Sequence, residues 1–119
     1  KHILLAEDNE LNAEIAIAIL EETGLIIDRV EDGIQCVNRI DQMPAGTYDM
    51  ILMDIRMPVM NGIQATAKIR AISQEIPIIA ITAYAFCPEG ERALEAGCNE
   101  VIAKPYPLEK LKETIETYL

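Results

Sequence analysis

Asp49-Met50-Ile51-Leu52-Met53-Asp54-Ile55-Arg56-Met57-Pro58-Val59-Met60-Asn61-Gly62 contains four successive apolar residues, Met50–Met53, that stop abruptly at a carboxylate. A short run apolar at every position reads as a strand buried on both faces, the environment of a central strand in a parallel sheet. Ile3–Ala6, followed by Glu7-Asp8, has the same character. So does Ile78–Ile81, followed by Thr82-Ala83.

Between these runs the apolar residues adopt helical spacing: Leu11/Ile15/Ile19, Ile34/Val37/Ile40, Ile63/Ala67, a stretch from Glu89 to Ala96, and Leu108/Leu111/Ile115/Tyr118. Two weaker strands complete the series. Ile26–Val30 includes Asp28 and Arg29, and Val101–Ala103 is very short, so both read as edges. Five strand–helix alternations predict an α/β fold in which right-handed crossovers cover both faces of a parallel sheet. With strands two and five at the edges, the order becomes 2-1-3-4-5, a flavodoxin-like doubly wound sheet with helices on both faces. Gly24 and Gly97 each follow a helical stretch and are expected to use positive φ at its end.

The 119 residues, half of them apolar, suffice for one core, so a single domain spanning 1–119 is expected, equally consistent with a complete protein or an excised domain. No apolar run approaches the roughly 20 residues that cross a bilayer, which predicts a cytoplasmic chain without membrane contact. Cys36, Cys87 and Cys98 lack paired C-x-x-C spacing and are expected to be reduced. Twenty acidic against ten basic residues give a net charge of −10, which DNA phosphates repel, so no direct nucleic-acid binding is expected of this chain alone and any DNA contact would need another domain.

In the expected order the carboxyl ends of strands one and three meet at the switch point where open α/β sheets bind ligands. Glu7, Asp8 and Asp54 therefore converge. Like charges about 4 Å apart repel by roughly 4 kcal/mol at a surface-like effective dielectric, so a positive partner is required. Oxygen donors without histidine or thiolate select a hard cation, Mg²⁺ in particular, with Mn²⁺ as a substitute. Thr82 and Lys104 end strands four and five at the same edge and add a hydroxyl donor and an ammonium. Carboxylates, hydroxyl and amine from separate strands constitute a site for phosphoryl transfer to a carboxylate. Asp8 or Asn9 is also placed to cap the helix that begins near Glu10.

ILLAEDNELN (Ile3–Asn12), DMILMDIRMPVMNG (Asp49–Gly62), PIIAITAYA (Pro77–Ala85) and EAGCNEVIAKPY (Glu95–Tyr106) together resemble the receiver domain of two-component response regulators and hybrid sensor kinases. The resemblance spans the chain. It implies that Asp54 is the phosphoacceptor, that Glu7 and Asp8 form the acidic pair, and that Asp8, Asp54 and the Arg56 carbonyl hold Mg²⁺. Thr82 would shift towards the phosphoryl group, Lys104 would pair with its oxygen, Ala83 would leave room beside it, and the Lys104–Pro105 bond would be cis. The partners implied are a histidine kinase or phosphotransfer domain, an attached or separate output domain, and a second copy of the chain. On this reading the domain is not an enzyme in its own right but assists its own phosphorylation, and the full-length product could be a hybrid histidine kinase.

One position departs from the family pattern. Val101 stands where most receivers carry a tyrosine or phenylalanine that swings inward, and it has no ring to move; Tyr84, close to Thr82, offers a ring but reads as a partly exposed loop residue. That departure motivates a competing reading, a receiver-like module that acts by interaction alone. Enzyme alternatives fit less well: Glu7-Asp8-Asn9-Glu10 would repel a flavin phosphate, no glycine fingerprint follows strand one, and Arg56 replaces the second acid of an aspartyl phosphohydrolase. His2 and the methionines around Asp54 are assigned no chemistry.

Overall fold

The computed structural model describes residues 1–57, 59–82, 88–103 and 108–119. Pro58, Ala83, Tyr84, Cys87, Lys104 and the Lys104–Pro105 bond, all singled out above, lie outside the described residues. Five strands, β1 (His2–Ala6), β2 (Ile26–Val30), β3 (Met50–Asp54), β4 (Ile78–Thr82) and β5 (Glu100–Ala103), alternate with five helices, α1 (Glu10–Glu21), α2 (Gly33–Gln42), α3 (Gly62–Ile72), α4 (Pro88–Ala96) and α5 (Leu108–Tyr118). The strands form one parallel sheet in the expected order β2-β1-β3-β4-β5.

The two-residue period of a strand sorts the core into two layers. Ile3, Leu5, Met50, Leu52, Ile79, Ile81 and Ile102 face Ala13, Ala16 and Leu20 of α1 and Leu111 and Ile115 of α5. Leu4, Ala6, Ile51, Met53, Ile78 and Ala80 face Cys36, Ala65, Ile69 and Ala93, from α2, α3 and α4. Right-handed crossovers dictate this division: β1 leads one way to β2, whereas the next three connections run the other way and carry their helices across the opposite face. Every residue of β3 and β4 is buried. A buried Leu, Ile or Met side chain contributes about 1.5–3 kcal/mol, so the two central strands anchor the fold.

The helix α1 differs from expectation in its inner face. Leu11 and Ile15 are 64% and 51% exposed, while Ala13, Ala16 and Leu20 are buried. Asn9, rather than Asp8, caps it, accepting from the Asn12 N–H at 2.9 Å. Met57 is buried and Met60 packs against the α2–α4 layer, so both loop methionines help fill the core. Gly24 and Gly97 have φ of +86° and +121°, as expected at helix ends. Lys1 and Leu119 line one crevice with Leu20, Leu25 and Ile115, at the pole where the strands begin.

Cys36 and Cys98 are buried free thiols, and burial pushes the Cys36 thiol up to about 12, which keeps it unreactive. His2 has a structural role: its Nε2 lies 2.8 Å from Asp28 Oδ2 and its ring centroid 4.6 Å from that of Tyr48. The Tyr48 hydroxyl donates to the same Asp28 oxygen at 2.8 Å and accepts from Arg39 at 3.1 Å. This network secures the edge strand β2 to β1, α2 and the segment before β3.

Candidate metal and phosphoryl-transfer site

β1 and β3 are neighbours with Ala6 opposite Met53, so the next residues along each strand, Glu7 and Asp54, emerge side by side. Glu7 and Asp54 are each only 5% exposed, and Asp8 is exposed beside them. Carboxylate oxygens of all three lie within 4.8 Å of one another. At that separation each charged pair repels by roughly 3 kcal/mol at an effective dielectric of about 20.

Local backbone offsets part of that repulsion. The Asn9 N–H donates to Glu7 Oε1 at 3.2 Å, and the Arg56 N–H donates to Asp54 Oδ1 at 3.3 Å. Arg29, on the edge strand, reaches the carbonyl oxygen of Glu7 through Nε at 3.1 Å and a terminal nitrogen at 3.0 Å, and that of Asp8 at 3.3 Å. Its guanidinium therefore braces the main chain beneath the acidic pair. Gly62 brings the first turn of α3 against the end of β3: a Cβ there would lie 2.4 Å from the Asp54 carbonyl oxygen.

Thr82, 1% exposed, ends β4 in the strand beside Asp54. Its hydroxyl donates to Glu89 Oε1 at 3.1 Å. Glu89 Oε2 in turn accepts from Arg56 Nε at 3.3 Å and from a terminal nitrogen at 3.0 Å. Asp8, Ile55, Arg56, Met57, Asn61 and Glu89 line the open cleft above the carboxylates. Thr82 pairs with Ala103, so the residue that follows β5 is Lys104, which lies outside the described residues.

Of the residues expected at the site, Glu7, Asp8, Asp54, Arg56 and Thr82 are thus gathered at one edge of the sheet. Arg29 and Glu89 had not been expected there. Arg29 read as an edge-strand charge, and Glu89 as the beginning of a helix, and the contacts of both span gaps that sequence periodicity does not report.

Three oxygen donors with no nitrogen or sulfur among them form a set suited to a hard divalent cation, whose charge would relieve their mutual repulsion. The Response regulator receiver domain family matches residues 3–116. The chain belongs to that family. This receiver domain is 36% identical to the signal transduction histidine-protein kinase BarA of Escherichia coli (strain K12), over 98% of the chain and 12% of BarA. It is 33% identical to probable histidine kinase 1 of Oryza sativa subsp. indica, over 98% of the chain and 15% of that protein. The receiver domain therefore spans less than a sixth of either relative's length.

Among solved structures, the receiver domain of sensor histidine kinase PA1611 from Pseudomonas aeruginosa PAO1 superposes with a TM-score of 0.91 at 39% identity, covering 99% of this chain and 96% of that one. That structure has a magnesium ion coordinated in its active-site cleft. Response regulator TrrA from Thermotoga maritima, in complex with Mg²⁺-BeF, superposes with a TM-score of 0.88 at 28% identity, covering 100% and 99% of the two chains. The present chain is a receiver domain of two-component signalling with the doubly wound fold of its relatives.

Proposed function

We propose that this single domain, residues 1–119, accepts a phosphoryl group on Asp54 from a phosphohistidine of a histidine kinase or phosphotransfer domain. The convergence of Glu7, Asp8 and Asp54 oxygens within 4.8 Å, beside the buried Thr82, carries this reading. Asp8, Asp54 and the Arg56 carbonyl hold Mg²⁺, with Glu7 completing the acidic set; Mn²⁺ accepts the same oxygen donors. The chemistry that a bound cation supplies here is neutralisation of the anionic oxygens around the phosphorus.

The chain's own residues do the rest. An Asp54 carboxylate oxygen forms the new P–O bond as the donor's P–N bond breaks, leaving its electron pair on the imidazole. Thr82 donates its hydroxyl to one phosphoryl oxygen, and Lys104 pairs with another. The donor domain rests on α1, where Leu11 and Ile15, four residues apart and therefore on one helix face, are both exposed and begin one turn beyond Asp8.

The relatives are histidine kinases many times its length, which supports placing the domain within a hybrid kinase. On this reading it works in the cytoplasm and relays the signal to an attached or separate output domain, with self-association as a further mode. The test is direct. Incubated with Mg²⁺ and acetyl phosphate, the wild type gains one base-labile phosphoryl group by intact mass, and Asp54→Asn gains none. Chelating the metal abolishes the gain. Equal labelling of the two proteins refutes the assignment.

A further inference from the structure

Glu89 lines the cleft together with Asp8 of the three-carboxylate cluster, and the phosphoryl-transfer chemistry assigns it no task. An acid in the first turn of α4 complements the helix dipole, but that role is satisfied with the side chain in water. Instead the carboxylate is turned inward, 19% exposed against 65% for the Arg56 side chain that covers it. One oxygen takes the Thr82 hydroxyl and the other takes the Arg56 guanidinium. Glu89 therefore ties the start of α4 to the end of β4 and to the loop after β3.

Both groups that Glu89 holds are ones that a phosphoryl group on Asp54 would attract. A hydroxyl has one proton to donate, so a bond from Thr82 to a phosphoryl oxygen is made at the expense of Glu89. A guanidinium favours phosphate over a single carboxylate oxygen, and phosphorylation adds up to about two negative charges beside the Glu89 carboxylate. Donor and counter-charge are drawn away together, while like-charge repulsion rises. The Arg56 contact is exposed and weak by itself, and the Thr82 bond is a single hydrogen bond, which suits an element that a modification must be able to tip.

We propose that Glu89 is a latch that fastens α4 while Asp54 is unmodified and releases it when Asp54 is phosphorylated. The proposal rests on the phosphoacceptor role of Asp54. It supplies a route from Asp54 to the α4 surface that needs no aromatic ring at position 101, where Val101 packs against the α2–α4 layer.

The experiment follows amide resonances and hydrogen exchange of the chain, with and without Mg²⁺ and beryllofluoride as phosphoryl mimic. In the wild type, adding the mimic shifts the Ile55 and Met57 amides and speeds exchange in α4 by about tenfold, the scale of one charge-assisted hydrogen bond. In Glu89→Ala, α4 exchanges fast from the outset and changes less than twofold when the mimic is added. Glu89→Gln keeps an acceptor for Thr82 and loses the charge. It gives an intermediate rate, and it carries the test if the alanine variant does not fold. If the Ile55 and Met57 amides respond but α4 accelerates equally in wild type and both variants, the latch is overturned and the phosphoacceptor role stands. If neither region responds in the wild type, the phosphoacceptor reading falls and the latch with it.

Discussion

Val59 holds φ at +66°, in the left-handed region, with 78% of its surface exposed. An L-residue loses roughly 1–2 kcal/mol there through contact of Cβ with its own carbonyl, and a β-branched side chain has no local hydrogen bond to compensate. The loop is held in this shape from outside. The Gly62 N–H donates to the Ile55 carbonyl at 2.8 Å, and the Gly33 N–H donates to that of Met60 at 3.0 Å. Strain of this kind persists where surrounding contacts over-determine the backbone, here five residues beyond Asp54. Asparagine tolerates the conformation, so Val59→Asn should stabilise the fold by about 1 kcal/mol in urea unfolding. An unchanged midpoint would show that the strain is relieved elsewhere. Nothing in the sequence marks this position, because left-handed backbone is expected at Gly or Asn and here falls on neither.

The helix α1, ELNAEIAIAILE, is apolar around much of its circumference. A helix with Ala or Ile on several faces does not declare which one is inward, and the spacing of the larger residues selected Leu11 and Ile15, which the structure leaves outside. The inner face is made of alanines because close approach to the sheet leaves room for little else: Ala13 and Ala16 lie against the layer of Ile3, Leu5 and Leu52. Replacing Leu11 and Ile15 with serine should leave stability within about 0.5 kcal/mol, as exposed positions do. Phosphotransfer from a kinase domain should fall at least tenfold while labelling by acetyl phosphate is unaffected, a split that a general folding defect would not produce. The strands were far more legible than this helix. Met50–Met53 and Ile78–Ile81 admit one reading because burial on both faces removes the choice of side. Asp54 and Thr82 were legible for the same reason, each being the first polar residue after such a run. Glu89 was not, since its partners Thr82 and Arg56 are seven and 33 residues away and no period connects them.

At the scale of the whole molecule, the polar network of His2, Asp28, Tyr48 and Arg39 closes the β2 edge of the sheet. The Tyr48 hydroxyl above all, with further help from His2 and Arg39, holds the Asp28 carboxyl below its usual range. A carboxylate whose pKa is lower in the folded state adds stability above its unfolded value of about 3.9 and loses it as pH falls through the folded value. Asp28→Asn should therefore melt below the wild type at pH 7, with the gap closing below about pH 4. A gap independent of pH would assign the effect to packing. Strand order and layering could be read from the chain in advance, but this network could not, because charges on an edge strand look like ordinary solvated surface until their partners are placed.

The crevice shared by Lys1 and Leu119 has a consequence for how such a unit can be carried. Both ends leave from the pole where the strands start, and the acidic cleft lies at the pole where they finish. Polypeptide joined at either end can depart without passing over Asp54. The fold is portable: such an arrangement suits splicing into chains many times its own length, and it matches 12% and 15% of two such relatives.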